Sequence, residues 1–239
     1  MTLQGLLLTF LLSYAPLSQR AMVVTYVSAL DASVTDEEIL RSLPPEAQPL
    51  RERILEQARR TTEYVLAFDG ARSEYYYADL ALPNANPDDI RAAGKDPVVG
   101  YYYDAAEDVL MKTGSRLGKA YLAEGSGKEM AYKFLNEQKT ILGYTCLRAD
   151  TEICGKSYTV YYTPEIPAHT GPERFVGLPG LVLQVVKPGG KRTLTASHID
   201  MVDRNKLTPI FSFVSAGFTS RTPDPQSIRF ADLCGEVDP

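Results

Sequence analysis

Gly177-Leu178-Pro179-Gly180-Leu181-Val182-Leu183-Gln184-Val185-Val186 is the stretch whose reading decides the fold. Pro179 presets φ and Gly180 supplies a positive φ, so Leu178 to Leu181 predicts a type II turn. Between Leu181 and Val186 only Gln184 is polar. That run is too short and too β-branched for a helix, and it predicts a strand buried on both faces. Lys187-Pro188-Gly189-Gly190-Lys191 then turns the chain. Arg192 to His198 returns with alternating apolar and polar residues, as one face of a sheet requires. The stretch is therefore a β-hairpin with one strand at the centre of a sheet.

Upstream, short apolar runs separated by turn residues predict an antiparallel meander. Its strands are Val23–Val27, Tyr64–Phe68, Ser73–Tyr77, Gly100–Tyr103, Val109–Met111, Lys119–Leu122 and Met130–Leu135. Asp69-Gly70 is a hairpin-type turn. Leu142–Ile153 and Tyr158–Thr163 form a long hairpin turning at Gly155-Lys156. A polar insert from Leu82 to Pro97, with one helical turn at Asp88–Ala93, reads as a surface loop. Thr35 to Glu38 resembles a capping box ahead of Ile39 and Leu40, and Pro44-Pro45 stops that helix. Pro49 to Arg60 is a second helix with a stripe of Leu50, Ile54, Leu55 and Ala58. Beyond His198, Pro209–Val214 reads as a further strand and Thr219–Pro239 as loosely held.

Leu3 to Leu17 is uncharged and apolar, and shorter than the roughly 20 residues that span a bilayer. It fits the apolar region of a secretory signal peptide ending between Ser18 and Met22, although the basic n-region is missing. A buried N-terminal helix is the alternative. The chain divides into a signal peptide (1–21), a β domain (22–200) with a helical insert at about 35–62, and a C-terminal extension (201–239), partly loose.

Several blocks resemble the GLPGLI family of secreted Bacteroidetes proteins. The stretch from Gly177 is similar to the family's signature. Ile141-Leu142-Gly143-Tyr144-Thr145-Cys146-Leu147-Arg148-Ala149, Ser157 to Pro167, and Gly171-Pro172 with Phe175 are similar to its upstream blocks. Tyr161 stands where the family has Trp, and Gln184 where it usually has Glu. The resemblance runs from about Tyr64 to His198. It implies an exported, envelope-associated protein, periplasmic or secreted, and the family brings no agreed activity with it.

Composition narrows the classes further. Hydrophobic residues make up 44% of the chain, enough for a sizeable core, and the net charge of −5 with no basic stripe argues against nucleic acid. Fifteen tyrosines and no tryptophan point to sheet faces with half-buried rings, or to sugar or peptide stacking.

Candidate chemistry is sparse. There are three cysteines. Cys146 and Cys154 on one strand would stand roughly 26 Å apart, so a disulfide, if present, uses Cys234 with one of them and leaves one thiol unpaired. Cys146 reads as a small buried hydrophobe, with a reactive thiol as the alternative. His198 reads as packed at the core margin beside Leu194 and Ala196. Neither histidine has metal-ligand spacing, and no metal or other cofactor is expected. The loop between the last hairpins is the candidate binding element, with Glu165, His169, Glu173, Arg174 and Phe175 as its residues. Gly177, Leu178, Pro179, Gly180 and Leu181 are expected to serve the fold.

The expected fold is mainly β: an antiparallel curved sheet or partly open β-barrel with an N-terminal helical segment across it. The expected function is a non-enzymatic binding or accessory module for an envelope protein or small ligand. The alternatives are a hydrolase or thiol enzyme assembled around Cys146 or His169, and a purely structural module.

Overall fold

The computed structural model describes residues 20–41, 49–78, 100–116, 119–203 and 226–229. Twelve strands form one sheet. They are β1 (Arg20–Leu30), β2 (Thr62–Phe68), β3 (Arg72–Tyr77), β4 (Gly100–Asp104), β5 (Val109–Arg116), β6 (Lys119–Gly125), β7 (Tyr132–Ile141), β8 (Tyr144–Ile153), β9 (Lys156–Thr163), β10 (Leu181–Val186), β11 (Arg192–Asp203) and β12 (Gln226–Arg229). The order is β12-β6-β5-β4-β3-β2-β1-β11-β10-β9-β8-β7. Two antiparallel meanders, β1 to β6 and β7 to β11, meet where β1 pairs with β11. The central position expected of Leu181–Val186 is found, between β9 and β11.

The order also dictates curvature. From β6 to β7 a flat sheet would measure roughly 48 Å at about 4.8 Å per strand spacing. The chain joins Gly125 to Tyr132 directly, a link of at most roughly 25 Å. The sheet therefore curls and brings its two ends together. β12 adds in parallel along β6, in a region expected to be loosely held. The sheet is not closed: β7 and β12 are the terminal strands of the order.

Inside the curl lies the segment between β9 and β10. Phe175 and Leu178 of this segment, with Leu181, Val182 and Leu183 at the start of β10, are fully buried in one cluster with Tyr26, Tyr75, Tyr101, Tyr158 and Val160. This plug is tied to both meanders. Tyr132 of β7 donates to the Val176 carbonyl at 3.0 Å, Thr170 donates to Ser73 of β3 at 2.6 Å, and Tyr26 of β1 donates to the Val182 carbonyl. Most described tyrosines are thus buried and not half-buried as expected, with Tyr26, Tyr75, Tyr101 and Tyr158 filling the interior and Tyr76 and Tyr161 on the outer face. A curled sheet needs large rings inside, and a chain without Trp supplies them as Tyr.

The signature turn differs from expectation. The Gly180 N–H bonds the Leu178 carbonyl at 2.8 Å, and the Leu181 N–H bonds Ile166 instead of closing a type II turn. The chain makes a three-residue turn about Pro179. Gly180, at φ +158°, is required chiefly because a Cβ would sit 2.2 Å from the Thr163 carbonyl oxygen.

Two further corrections follow from local geometry. Leu142 and Gly143 have positive φ and turn the chain between β7 and β8, so the long strand expected from Leu142 starts two residues later, at Tyr144, and ends at Ile153 as expected. Cys154 and Gly155, also at positive φ, make the next turn, one residue earlier than expected. A β-bulge at Ser197 moves His198 to the opposite face, because Thr25 pairs with His198 and Tyr26 with Ala196. His198 is accordingly exposed, 3.1 Å from Asp200, not packed beside Leu194.

Two helices, α1 (Asp36–Leu40) and α2 (Arg51–Arg59), sit at the ends of β1 and β11. The Thr35–Glu38 capping box is formed as expected. Arg59 bridges Asp36 at 2.7 Å, and Arg192 donates to the Ala58 carbonyl at 2.8 Å. Residues 1–19, the Pro44-Pro45 stop, the 82–97 insert, the strand expected at 209–214 and Cys234 lie outside the described residues. β1 starts at Arg20, three residues before the expected Val23.

Candidate functional site

The candidate loop divides into an outward part and an inward part. Glu165 is exposed and its carboxylate accepts the Thr145 N–H at 2.8 Å, which pins the loop to the β7–β8 turn. His169 is exposed, with Nδ1 3.0 Å from the Leu178 carbonyl oxygen. Glu173, Arg174 and Phe175 point inward and are buried. Phe175 packs against Tyr158 at 5.4 Å between ring centroids and belongs to the core. Sequence proximity suggested one surface; the structure uses these five residues for three different tasks.

Glu173 is the centre of the inward group. Its φ of +55° is uncommon for a residue with a Cβ. This conformation turns the carboxylate toward Lys187, whose ammonium donates to it at 2.9 Å, with both side chains about one-tenth exposed. Around the pair stand tyrosines from the other meander. Tyr64 stacks on Tyr75 and Tyr77 at 5.2 and 4.9 Å and hydrogen-bonds Tyr77. Burial, and then neighbouring groups that include the Glu173 carboxylate, hold the Tyr64 and Tyr75 hydroxyls well above the ordinary phenol range. The Tyr75 hydroxyl is buried with no hydrogen-bond partner among the described residues. Arg192 donates to Ser28 at 3.4 Å beside them. At the rim of this inner cluster Tyr64 and Arg192 are only half-buried. A carboxylate, two cations and phenol hydroxyls offer acceptors and donors to a polyhydroxylated ligand.

A second polar group lies on the outer face of β7 to β11. Arg148, Tyr161, Gln184 and Thr195 form a row in register across four strands. Arg148 bonds Asp150 at 2.9 Å and Glu137 at 2.6 Å. Tyr161 donates to Glu137 at 2.5 Å. Lys139 lies 3.4 Å from the Tyr161 ring centroid and donates to Gln184, which donates to Thr195 at 2.7 Å. The bond from Arg148 lowers the Asp150 carboxyl, and those from Tyr161 and Arg148 lower that of Glu137. Every member is held by another member.

Cys146, opposite Lys139, is free and fully buried, and burial pushes its thiol up to about 11. Cys154 is disulfide-bonded, with its partner outside the described residues. Among the described residues no group of three His, Cys, Asp or Glu is placed to hold a metal. Lys187, Arg192, Tyr64, Tyr75 and Tyr77 escape a sequence reading because they come from three separate parts of the chain, β2, β3 and the β10–β11 turn. Only Lys187 and Arg192, flanking the Gly189-Gly190 turn, leave a trace.

Residues 124–213 match the family described as N-glycanase peptide, N-terminal domain. That stretch carries the plug, Glu173, Lys187 and Arg192, and also the blocks that resemble the GLPGLI family. By fold, the chain is similar to solved structures of PNGF-II in two crystal forms. The TM-scores are 0.57 and 0.56, each at 12% identity and over 91% of this chain. The chain spans about a third of the length of those proteins, 33% in each case. A search by sequence finds no match among curated proteins. At this identity the structural likeness establishes the architecture alone. No described helix is long and apolar enough to cross a membrane.

Proposed function

We propose that this chain is a non-enzymatic, glycan-directed binding or accessory module of an exported, envelope-associated protein. The match of residues 124–213 to the N-terminal domain of an N-glycanase carries the reading, because that stretch holds the charged members of the inner cluster. The N-glycanase likeness suggests the ligand class, an asparagine-linked oligosaccharide. The cluster supplies a chemistry suited to it: a carboxylate that accepts sugar hydroxyls, and Lys187 and Arg192 that donate to them. Export, to the periplasm or medium, rests on the apolar segment Leu3–Leu17 and on the finer GLPGLI resemblance. Division into 1–21, 22–200 and 201–239 belongs to the same reading.

Two observations argue against a thiol or histidine enzyme. The Cys146 thiol is buried and raised, which keeps it from forming the nucleophilic thiolate. His169 is exposed, and its Nδ1 is taken up by the Leu178 carbonyl oxygen.

The test mixes the folded chain with a peptide carrying an asparagine-linked oligosaccharide. Calorimetry follows binding and mass spectrometry follows the peptide. Saturable binding with the peptide mass unchanged is expected. Release of the oligosaccharide, or no binding at millimolar ligand, would overturn the proposal.

A further inference from the structure

Glu74 belongs to neither polar group. It sits on the outer face of β3, 3% exposed, and its Oε2 finds no hydrogen-bond partner among the described residues. Two residues on, on the same face, Tyr76 is 4% exposed and its hydroxyl is likewise without a partner. Ala67 of β2 stands directly opposite Glu74, and Val65 opposite Tyr76; both are buried. Two adjacent orphaned polar groups in apolar surroundings are unusual, since such atoms are nearly always bonded.

The titratable and charged groups on this face are few. Among the described residues Arg72 and Tyr76 come from β3, Glu63 from β2 with Asp69 just after it, Tyr102 and Asp104 from β4, and Glu124 from β6. Arg72 lies 3.9 Å from Asp69, and Tyr102 donates to Asp104 at 3.4 Å. Tyr102 stands directly opposite Glu74 on β4, but neither it nor Arg72 hydrogen-bonds Glu74 Oε2. Burial alone therefore acts on its carboxyl and pushes it up to about 8.

We propose that Glu74 is a proton-held latch: the outer face of β2, β3 and β4 stays packed while its carboxyl is protonated, and opens locally once the proton is lost. Opening hydrates Glu74 and Tyr76 together, so it costs less here than in a strand whose polar groups are all paired. The sign follows from linkage. The packed state keeps its proton up to about pH 8, while the opened state loses it near the ordinary carboxyl value of 4.5. The packed state therefore binds more protons across that window, and its stability falls as pH rises from 4.5 to about 8 and levels above it.

Hydrogen exchange of the full chain, read by mass spectrometry from pH 5 to 9 and corrected for intrinsic rates, tests this. Opening of β2–β4 should rise by up to about tenfold per pH unit between pH 5 and 8, while β8–β9 stays flat. Glu74→Gln should abolish the rise. Tyr76→Phe should lower opening at every pH and keep the slope. If Glu74→Gln does not fold, Glu74→Met carries the same expectation. A slope retained in the Gln or Met variant, or shared equally by β8–β9, would overturn the latch.

Discussion

The two polar groups on opposite faces of this sheet contain similar residues and are built in different ways. On the outer face, Glu137, Lys139, Arg148, Asp150, Tyr161 and Gln184 bond one another along strands β7 to β10, within a register the sheet already imposes. In the inner cluster, Glu173 is held at positive φ, its ion pair with Lys187 is nine-tenths buried, and Tyr75 keeps an unmet hydroxyl. The outer row spends its bonding capacity on itself and remains partly wet, so it contributes little stability per pair. The inner cluster is desolvated, so each member depends strongly on the others. Charge density alone would have ranked the outer row first as a site. Strain, desolvation and an unmet hydroxyl rank the inner cluster first.

The largest expected effect lies where the plug meets the sheet. Gly180→Val places a Cβ at 2.2 Å from a backbone oxygen, which no rotamer relieves. It should destabilise by at least about 3 kcal/mol, beside roughly 2–5 kcal/mol for Leu183→Ala, whose side chain is fully buried. Urea melts followed by circular dichroism give both values. Parent-like melts in both would mean that the plug does not hold the two meanders together.

Next comes the buried pair. Glu173→Ala takes the carboxylate away from the buried Lys187 ammonium and should cost about 3–5 kcal/mol, whereas Glu173→Leu combined with Lys187→Met should recover most of that loss. On the outer face Arg148→Met should cost under about 1 kcal/mol. Equal losses for Glu173→Ala and Arg148→Met would erase the contrast between the faces.

The smallest effect concerns Cys146. With its thiol raised to about 11 by burial, it should resist maleimide at pH 7.5 in the folded chain and react once urea unfolds it. Rapid labelling of the native protein would place it at the surface and reopen the thiol-enzyme reading.

The hairpin from Gly177 to His198 was legible because its apolar run and glycine-rich turn have one low-energy arrangement. The capping box at Thr35 was legible for the same local reason. What failed was non-local. The bulge at Ser197 has no sequence mark, yet it reverses every residue beyond it, and His198 left the core side as a result. The curved sheet itself was expected, but not which of its ends meet: the β6–β7 link joins strands far apart in the order, which periodicity cannot show. Glu173 and Arg174 were named for their loop; their inward direction depends on a backbone conformation that Glu rarely takes. Lys187 reads in sequence as a turn residue and Arg192 as the start of the returning strand, and neither position points to Glu173.

Calorimetric titration of an asparagine-linked oligosaccharide into three proteins tests the central claim most directly: the parent, the Glu173→Leu/Lys187→Met pair variant, and Arg148→Met. Melting curves first establish that all three are folded. The inner-site account predicts binding by the parent and by Arg148→Met, and at least about tenfold weaker binding by the pair variant. Full affinity in the pair variant, with loss in Arg148→Met, would move the site to the outer face and contradict the account.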